Sequence, residues 1–165
     1  MCHQLSTPLK KRSACQQGAV VVEFALVLTL LISMVAGIFE FGRAFWYYDA
    51  LTKATRDGAR LMSVSPKATI ASAAVGDAKT QVTNAVTDAG VPGFANANVA
   101  VTCLTAAFVD SACADGTAPG GVRVQIVGYT MTIGQFIPFL IGASSSYSAT
   151  LSPHTSMVYM PVGTP

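Results

Sequence analysis

The sequence predicts an α+β protein. It comprises a long N-terminal transmembrane and spine helix, a second amphipathic helix, and a small antiparallel sheet of three to four strands. Three observations carry this reading. Residues 19–39 form an apolar run whose one charged residue is Glu23, and about twenty such residues in a helix cross the ~30 Å hydrocarbon core of a bilayer. From Glu40 to Met62, and again from Ala68 to Ala89, apolar residues recur at three- and four-residue steps, the spacing of one helix face. From Asn98 onward the period changes to two, the signature of half-buried strands.

Composition bounds the rest. The chain has 165 residues, 52% apolar and 11% charged; soluble domains carry about 25% charged residues. One membrane segment accounts for part of that difference, and the length allows one ordinary domain beside it. The net charge of +2 is unevenly placed, because Lys10, Lys11 and Arg12 all precede Gly18. The remainder is near neutral and holds no basic patch, so nucleic acid is not an expected partner.

Met1–Gln17 is polar and basic and reads as a cytoplasmic leader, not as folded structure. A basic cluster ahead of an apolar run sets its N-terminal side in the cytoplasm by the positive-inside rule. The run 19–39 is longer than the 7–15 apolar residues of a secretory signal. Glu23 stands near its cytoplasmic end, where the cost of a carboxylate falls below the ~2.5 kcal/mol of mid-depth. Two readings of Glu23 stay open: it snorkels to the headgroups, or it has a specific role.

Beyond the span the helix continues. Phe41, Phe45, Tyr48, Leu51/Thr52, Thr55, Ala59 and Met62 form its expected apolar face, with Arg43, Lys53, Arg56, Asp57 and Arg60 elsewhere. Phe45-Trp46-Tyr47-Tyr48 reads as an aromatic belt at the membrane–water interface; for Phe45 and Tyr48 a buried cluster is the alternative. Pro66 ends the helix by removing a donor and restricting its neighbour. In the second helix Ile70, Ala74, Ala78, Val82, Ala85/Val86 and Ala89 form the apolar face, and Gly90 and Pro92 stop it.

Strands are expected at Asn98–Leu104 and Val122–Ile133, the latter with a bulge at Gly128. Thr105–Gly121 reads as a connection, and Gln135–Gly142 as a turn of helix or a crossover. Ser144–Met160 gives a last strand or pair of strands interrupted by Pro153. Cys2 and Cys15 precede the span and Cys103 and Cys113 follow it, which places the two pairs on opposite sides of a membrane. Cys103 and Cys113 suit a disulfide in an oxidising compartment; two unrelated free thiols are the other reading. No metal is expected, since neither has a nearby Cys or His partner. His154 reads as a surface strand residue and Asp110 and Asp115 as turn residues. With no phosphate loop or nucleophile elbow, the chain is not expected to be an enzyme, and no catalytic residue or cofactor is assigned.

At the head of the long helix, Gly18, four apolar residues and then Glu23-Phe24 follow the basic leader. This resembles the processing site of type IV prepilins, in the G-x-x-x-x-E-F/Y form of the Flp/Tad branch. The stretch VEFALVLTLLISMVAGIFEFGRAFWYYDALTKATRDGAR looks like the TadE-like pseudopilin family. It carries a second E-F-G-R at Glu40–Arg43 and an A-x-R-x-G-A-R ending at Ala54–Arg60. The resemblance covers about residues 12–61. It implies that a prepilin peptidase cuts between Gly18 and Ala19, and that the freed amine of Ala19 pairs with Glu23 of a neighbouring subunit.

The implied organisation is a leader at 1–18, a transmembrane helix at 19–39 and an extracytoplasmic pilin-like domain at 40–165. That domain divides into a helix continuation (40–62), a second helix (68–89) and a sheet (98–160). The implied function is that of a minor pilin-like component of a Flp/Tad tight-adherence pilus assembly and secretion system, acting in pilus biogenesis, adhesion or surface attachment. The implied partners are the prepilin peptidase, other Tad pilins and pseudopilins, inner-membrane Tad platform proteins and the lipid bilayer. The implied location is the bacterial inner membrane, single-pass, with the N-terminus cytoplasmic and the C-terminal domain periplasmic; incorporation into a pilus stays open. The alternative is a single-pass, membrane-anchored extracytoplasmic binding protein unrelated to pili.

Overall fold

The computed structural model describes residues 13–134 and 147–160. The leader cluster Lys10, Lys11 and Arg12 and the Gln135–Gly142 segment lie outside the described residues. The chain divides into two compact units, Met1–Phe39 and Glu40–Pro165.

Helix α1 runs Ser13–Val64. It begins ahead of the expected start, so Ser13–Gln17 is helical. No proline or glycine between Ser13 and Gln17 interrupts it. In the first unit its apolar side chains are exposed, among them Val20, Phe24, Leu30 and Ile38. The hydroxyls of this segment bond to their own helix: Thr29 donates to the Ala25 carbonyl at 2.7 Å and Ser33 to that of Thr29 at 2.7 Å. Such bonds satisfy the hydroxyls within the helix itself.

In the second unit α1 buries Leu51, Ala54, Thr55, Ala59 and Met62. Ala44, Tyr47 and Ala50 pack partly buried beside them. Phe41, Phe45 and Tyr48 were expected on this face, but they are 68%, 73% and 49% exposed. The buried line through the first turns instead runs Glu40, Ala44, Tyr47, one residue back, which is a rotation of about 100° at 3.6 residues per turn. Charged residues fix the outward face only from Asp49 on, so periodicity alone left the earlier turns free to rotate.

The second helical segment comprises a 3-10 turn (Lys67–Thr69), a π-turn (Ile70–Ala74) and helix α2 (Val75–Asp88). Its buried residues Ile70, Ala74, Ala78, Val82 and Val86 repeat at steps of four. An ideal α-helix drifts by about 40° per such step; the wider i→i+5 turn at the start takes up part of that drift. Gly90, at φ +74°, ends the helix, with Val91 N–H donating to the Val86 carbonyl at 3.3 Å. Left-handed glycine is the common terminator here.

The main sheet is antiparallel with strand order β2-β1-β3-β6. Its strands are β1 (Val99–Leu104), β2 (Asp110–Ser111), β3 (Gly121–Ile126) and β6 (His154–Val158). Strands β4 (Tyr129–Ile133) and β5 (Tyr147–Leu151) pair separately. The expected continuous strand Val122–Ile133 is therefore two strands in two sheets. Gln125 faces His154 and Tyr129 faces Leu151, so residues 126–128 oppose residues 152–153, one extra residue on the Gly128 side. Gly128 sits at φ +64°, a conformation that favours glycine. The anticipated bulge is thus a break between two ladders of one long ribbon. Strand β2, inside the expected connection, is too short to leave a periodic signal.

The ribbon follows the second-unit part of α1. Met160 N–H donates to the Ser63 carbonyl at 2.8 Å, Thr155 and Thr55 hydroxyls meet at 3.1 Å, and Arg43 reaches the Thr132 carbonyl at 3.1 Å. Between ribbon and helices lies the core, with Leu51, Val82, Val86, Val99, Val124, Ile126 and Met131 at its centre.

Candidate anchoring and processing segment

Gly18 lies within α1 and is exposed, and a Cβ built there meets nothing within 4 Å. Ala19 and Glu23 are exposed as well, and Phe24 is 65% exposed. Gly18, Ala19, Glu23 and Phe24 are thus all exposed on one helical stretch. Glycine also lowers helix stability by about 1 kcal/mol relative to alanine, so the chain opens more readily at this point. The most apolar eighteen residues of the helix average 2.5 in hydropathy and none of that window is buried. This segment is a candidate membrane span.

In the second unit the E-F-G-R stretch splits by side. Glu40 is 3% exposed and its carboxylate accepts from Arg43 Nη2 at 2.8 Å. The same Arg43 nitrogen donates to the Thr132 carbonyl. Phe41 between them points outward. The pair therefore clasps the far end of the ribbon to the first turn of the second unit. Nearby, Tyr129 donates to the Pro92 carbonyl at 3.1 Å, and burial, with Tyr47 adding to it, pushes its phenol up against the lowering effect of Arg43.

Cys103 and Cys113 are joined, Sγ to Sγ at 2.04 Å with Cα atoms 5.0 Å apart. The bond ties the β1–β3 connection to β1. Two acids in that connection have structural partners. Asp110 pairs with Arg123 at 2.6 Å. Asp115 accepts from the Ala71 N–H at 2.6 Å and the Ser72 N–H at 3.2 Å, capping the π-turn across a long sequence separation that local reading did not anticipate. Those bonds hold the Asp115 carboxyl below its ordinary range, the Ala71 N–H contributing most. A lowered carboxyl pKa stabilises the fold above the unfolded value of about 4. That contribution is lost as pH falls through the lowered pKa. Asp115→Ala is therefore expected to lower the unfolding midpoint near neutral pH, with the gap to wild type closing under acid; a gap independent of pH would contradict the cap. His154 opens β6 and is exposed. Among the described residues no three His, Cys, Asp or Glu side chains come together.

A long apolar N-terminal helix, a second helix and a small antiparallel sheet place the chain in the α+β class. Within it, residues 18–60 match the family model described as TadE-like protein. The match begins at Gly18 and ends at Arg60, taking in Glu23-Phe24, Glu40–Arg43 and the A-x-R-x-G-A-R ending; this segment is TadE-like in sequence. No curated protein and no solved structure matches the chain.

Proposed function

We propose that this chain is a minor, non-catalytic, pilin-like component of a Flp/Tad tight-adherence pilus system, matured by a prepilin peptidase. The observation that carries the reading is the TadE-like match beginning at Gly18, where the glycine, the Glu23-Phe24 pair and the apolar helix follow one another. In this reading the N-terminus is cytoplasmic and the unit 40–165 extracytoplasmic, a location where a Cys103–Cys113 bond persists. The peptidase cuts after Gly18, which offers no side chain to obstruct the backbone. Cleavage frees the α-amine of Ala19, a group able to carry a positive charge.

Glu23 then has a partner. The Ala19 amine of one subunit pairs with the Glu23 carboxylate of the next, each offsetting the cost of placing the other in a low dielectric. Apolar packing specifies axial register poorly, and this pair would set it. The partners are other Tad pilins and pseudopilins and the inner-membrane platform proteins.

The test is Glu23→Ala in cells that make the full system. The mutant is expected to be cleaved like wild type but to lose its pilin partners on affinity purification from solubilised membranes. Retention of those partners with normal piliation would remove the pairing.

A further inference from the structure

The start of the second helical segment has no cap of its own. Neither the 3-10 turn at Lys67–Thr69 nor the π-turn at Ile70–Ala74 has a side-chain cap from its flanking residue, and the first N–H groups of a helix need outside acceptors. The partners come from the β1–β3 connection. Asp115 accepts from the Ala71 and Ser72 N–H groups, and Gly116 N–H donates to the Lys67 carbonyl at 2.8 Å. Little else holds that part of the connection. Among the described residues no strand pairs with 112–120, and Ala112, Ala114 and Ala118 are exposed. Its covalent tie is Cys113, just ahead of Asp115 and bonded to Cys103. Cys103 is 2% exposed and packs with Met62, Ile70, Val122 and Tyr159, in a core cluster separate from the one around Leu51 and Val86.

We propose that the Cys103–Cys113 bond is a redox latch on this end of the second unit. Closed, it holds Asp115 and Gly116 against the helix start. Open, it releases residues 67–74 while the rest of the unit stays folded. The opening is local because Val82, Val86, Val99 and Val124 belong to the other cluster, which contains no cysteine. Proteins open in such cooperative pieces, the piece with least burial first. With the bond reduced, the stretch 112–118 has only exposed hydrogen bonds to keep Asp115 in place, and ordering it costs chain entropy that the bond otherwise removes. The latch closes by thiol–disulfide exchange with an oxidant that carries a disulfide. Cys113 is half-buried and is the reachable sulfur. Its thiolate attacks one sulfur of the oxidant and forms a mixed disulfide, releasing the other sulfur as a thiolate. The Cys103 thiolate then attacks Cys113 Sγ and displaces the oxidant's remaining sulfur. Two protons leave the cysteine pair, and two electrons reduce the oxidant's disulfide to a dithiol. The latch does not depend on cleavage at Gly18, so its test stands apart from that of the pilin reading.

Hydrogen exchange read by mass spectrometry tests this on the full chain in detergent micelles, oxidised and after reduction with dithiothreitol. Reduction is expected to quicken exchange at 67–74 by about tenfold or more, and at 82–88 and in β3 by less than about twofold. Asp115→Ala, kept oxidised, should quicken exchange at Ala71 and Ser72 in the same way. Reducing that variant should then add much less at those two residues than reduction does in wild type, because the bond acts there through Asp115. Unchanged exchange at 67–74 on reduction would overturn the proposal. So would equal quickening throughout the unit, or its complete unfolding, either of which would make the bond a staple for the whole unit. Full additivity of reduction and Asp115→Ala would overturn the route through the carboxylate and with it the latch.

Discussion

Gly58→Val is expected to destabilise the second unit by about 3 kcal/mol, the upper end for overpacking a filled core. Gly58 is buried where α1, α2 and β3 meet. A Cβ there would lie 2.6 Å from Val82 Cγ2 and 3.6 Å from both the Ala78 carbonyl oxygen and Val124 Cγ1. Carbon atoms prefer ~3.5–4.0 Å. Val82 cannot step aside easily, since it is fully buried and a β-branched side chain in a helix has essentially one rotamer. The helices must therefore separate, and each ångström of separation exposes the alanines that line the contact. Gly42→Ala is the control: nothing lies within 4 Å of its added Cβ, and the better helix former should gain up to about 1 kcal/mol. Denaturant midpoints for the two variants should move in opposite directions. A Gly58→Val protein as stable as wild type would mean that the two helices do not pack at this glycine.

The next largest effect is expected from Arg43→Ala. Removing one partner of a buried pair costs about 3–5 kcal/mol; the guanidinium side chain is 25% exposed against 3% for Glu40, so the lower end applies. The loss should be local. Hydrogen exchange should quicken at β4 and β5, whose far end Arg43 holds through the Thr132 carbonyl, and much less in β1 and β3. Adding Glu40→Gln should recover part of the stability, because an amide replaces a carboxylate deprived of its counter-charge. Strict additivity of the two changes would show that the residues do not act as a pair.

The sequence made the α+β class readable because each element has its own period, and the apolar span is visible from length alone. Helix ends were legible where Gly90, Pro66 and Pro92 force them. Three features were not. The buried face of α1 across Phe41–Tyr48 could not be placed, since apolar residues occupy every side of those turns and only Glu40 and Arg43, which turn inward against expectation for charges, mark the core. Val122–Ile133 read as one strand because its alternation resumes after Gly128, and the separate pairing of β4 depends on a partner strand distant in sequence. Asp115 looked like an ordinary turn acid, because its partners at Ala71 and Ser72 are joined to it only by tertiary structure. The motif around Gly18 and Glu23 was legible for the opposite reason: it is a local spacing, complete within a few residues.

The reading of this chain as a processed pilin-like subunit comes down to one bond. Intact mass and N-terminal sequencing of the protein, extracted from membranes of cells that express a prepilin peptidase, test it directly. The account predicts a chain that begins at Ala19, and a Gly18→Val variant that keeps its full length in the same cells. A wild-type chain that retains Met1 beside an active peptidase, or that begins well past Ala19, would contradict it.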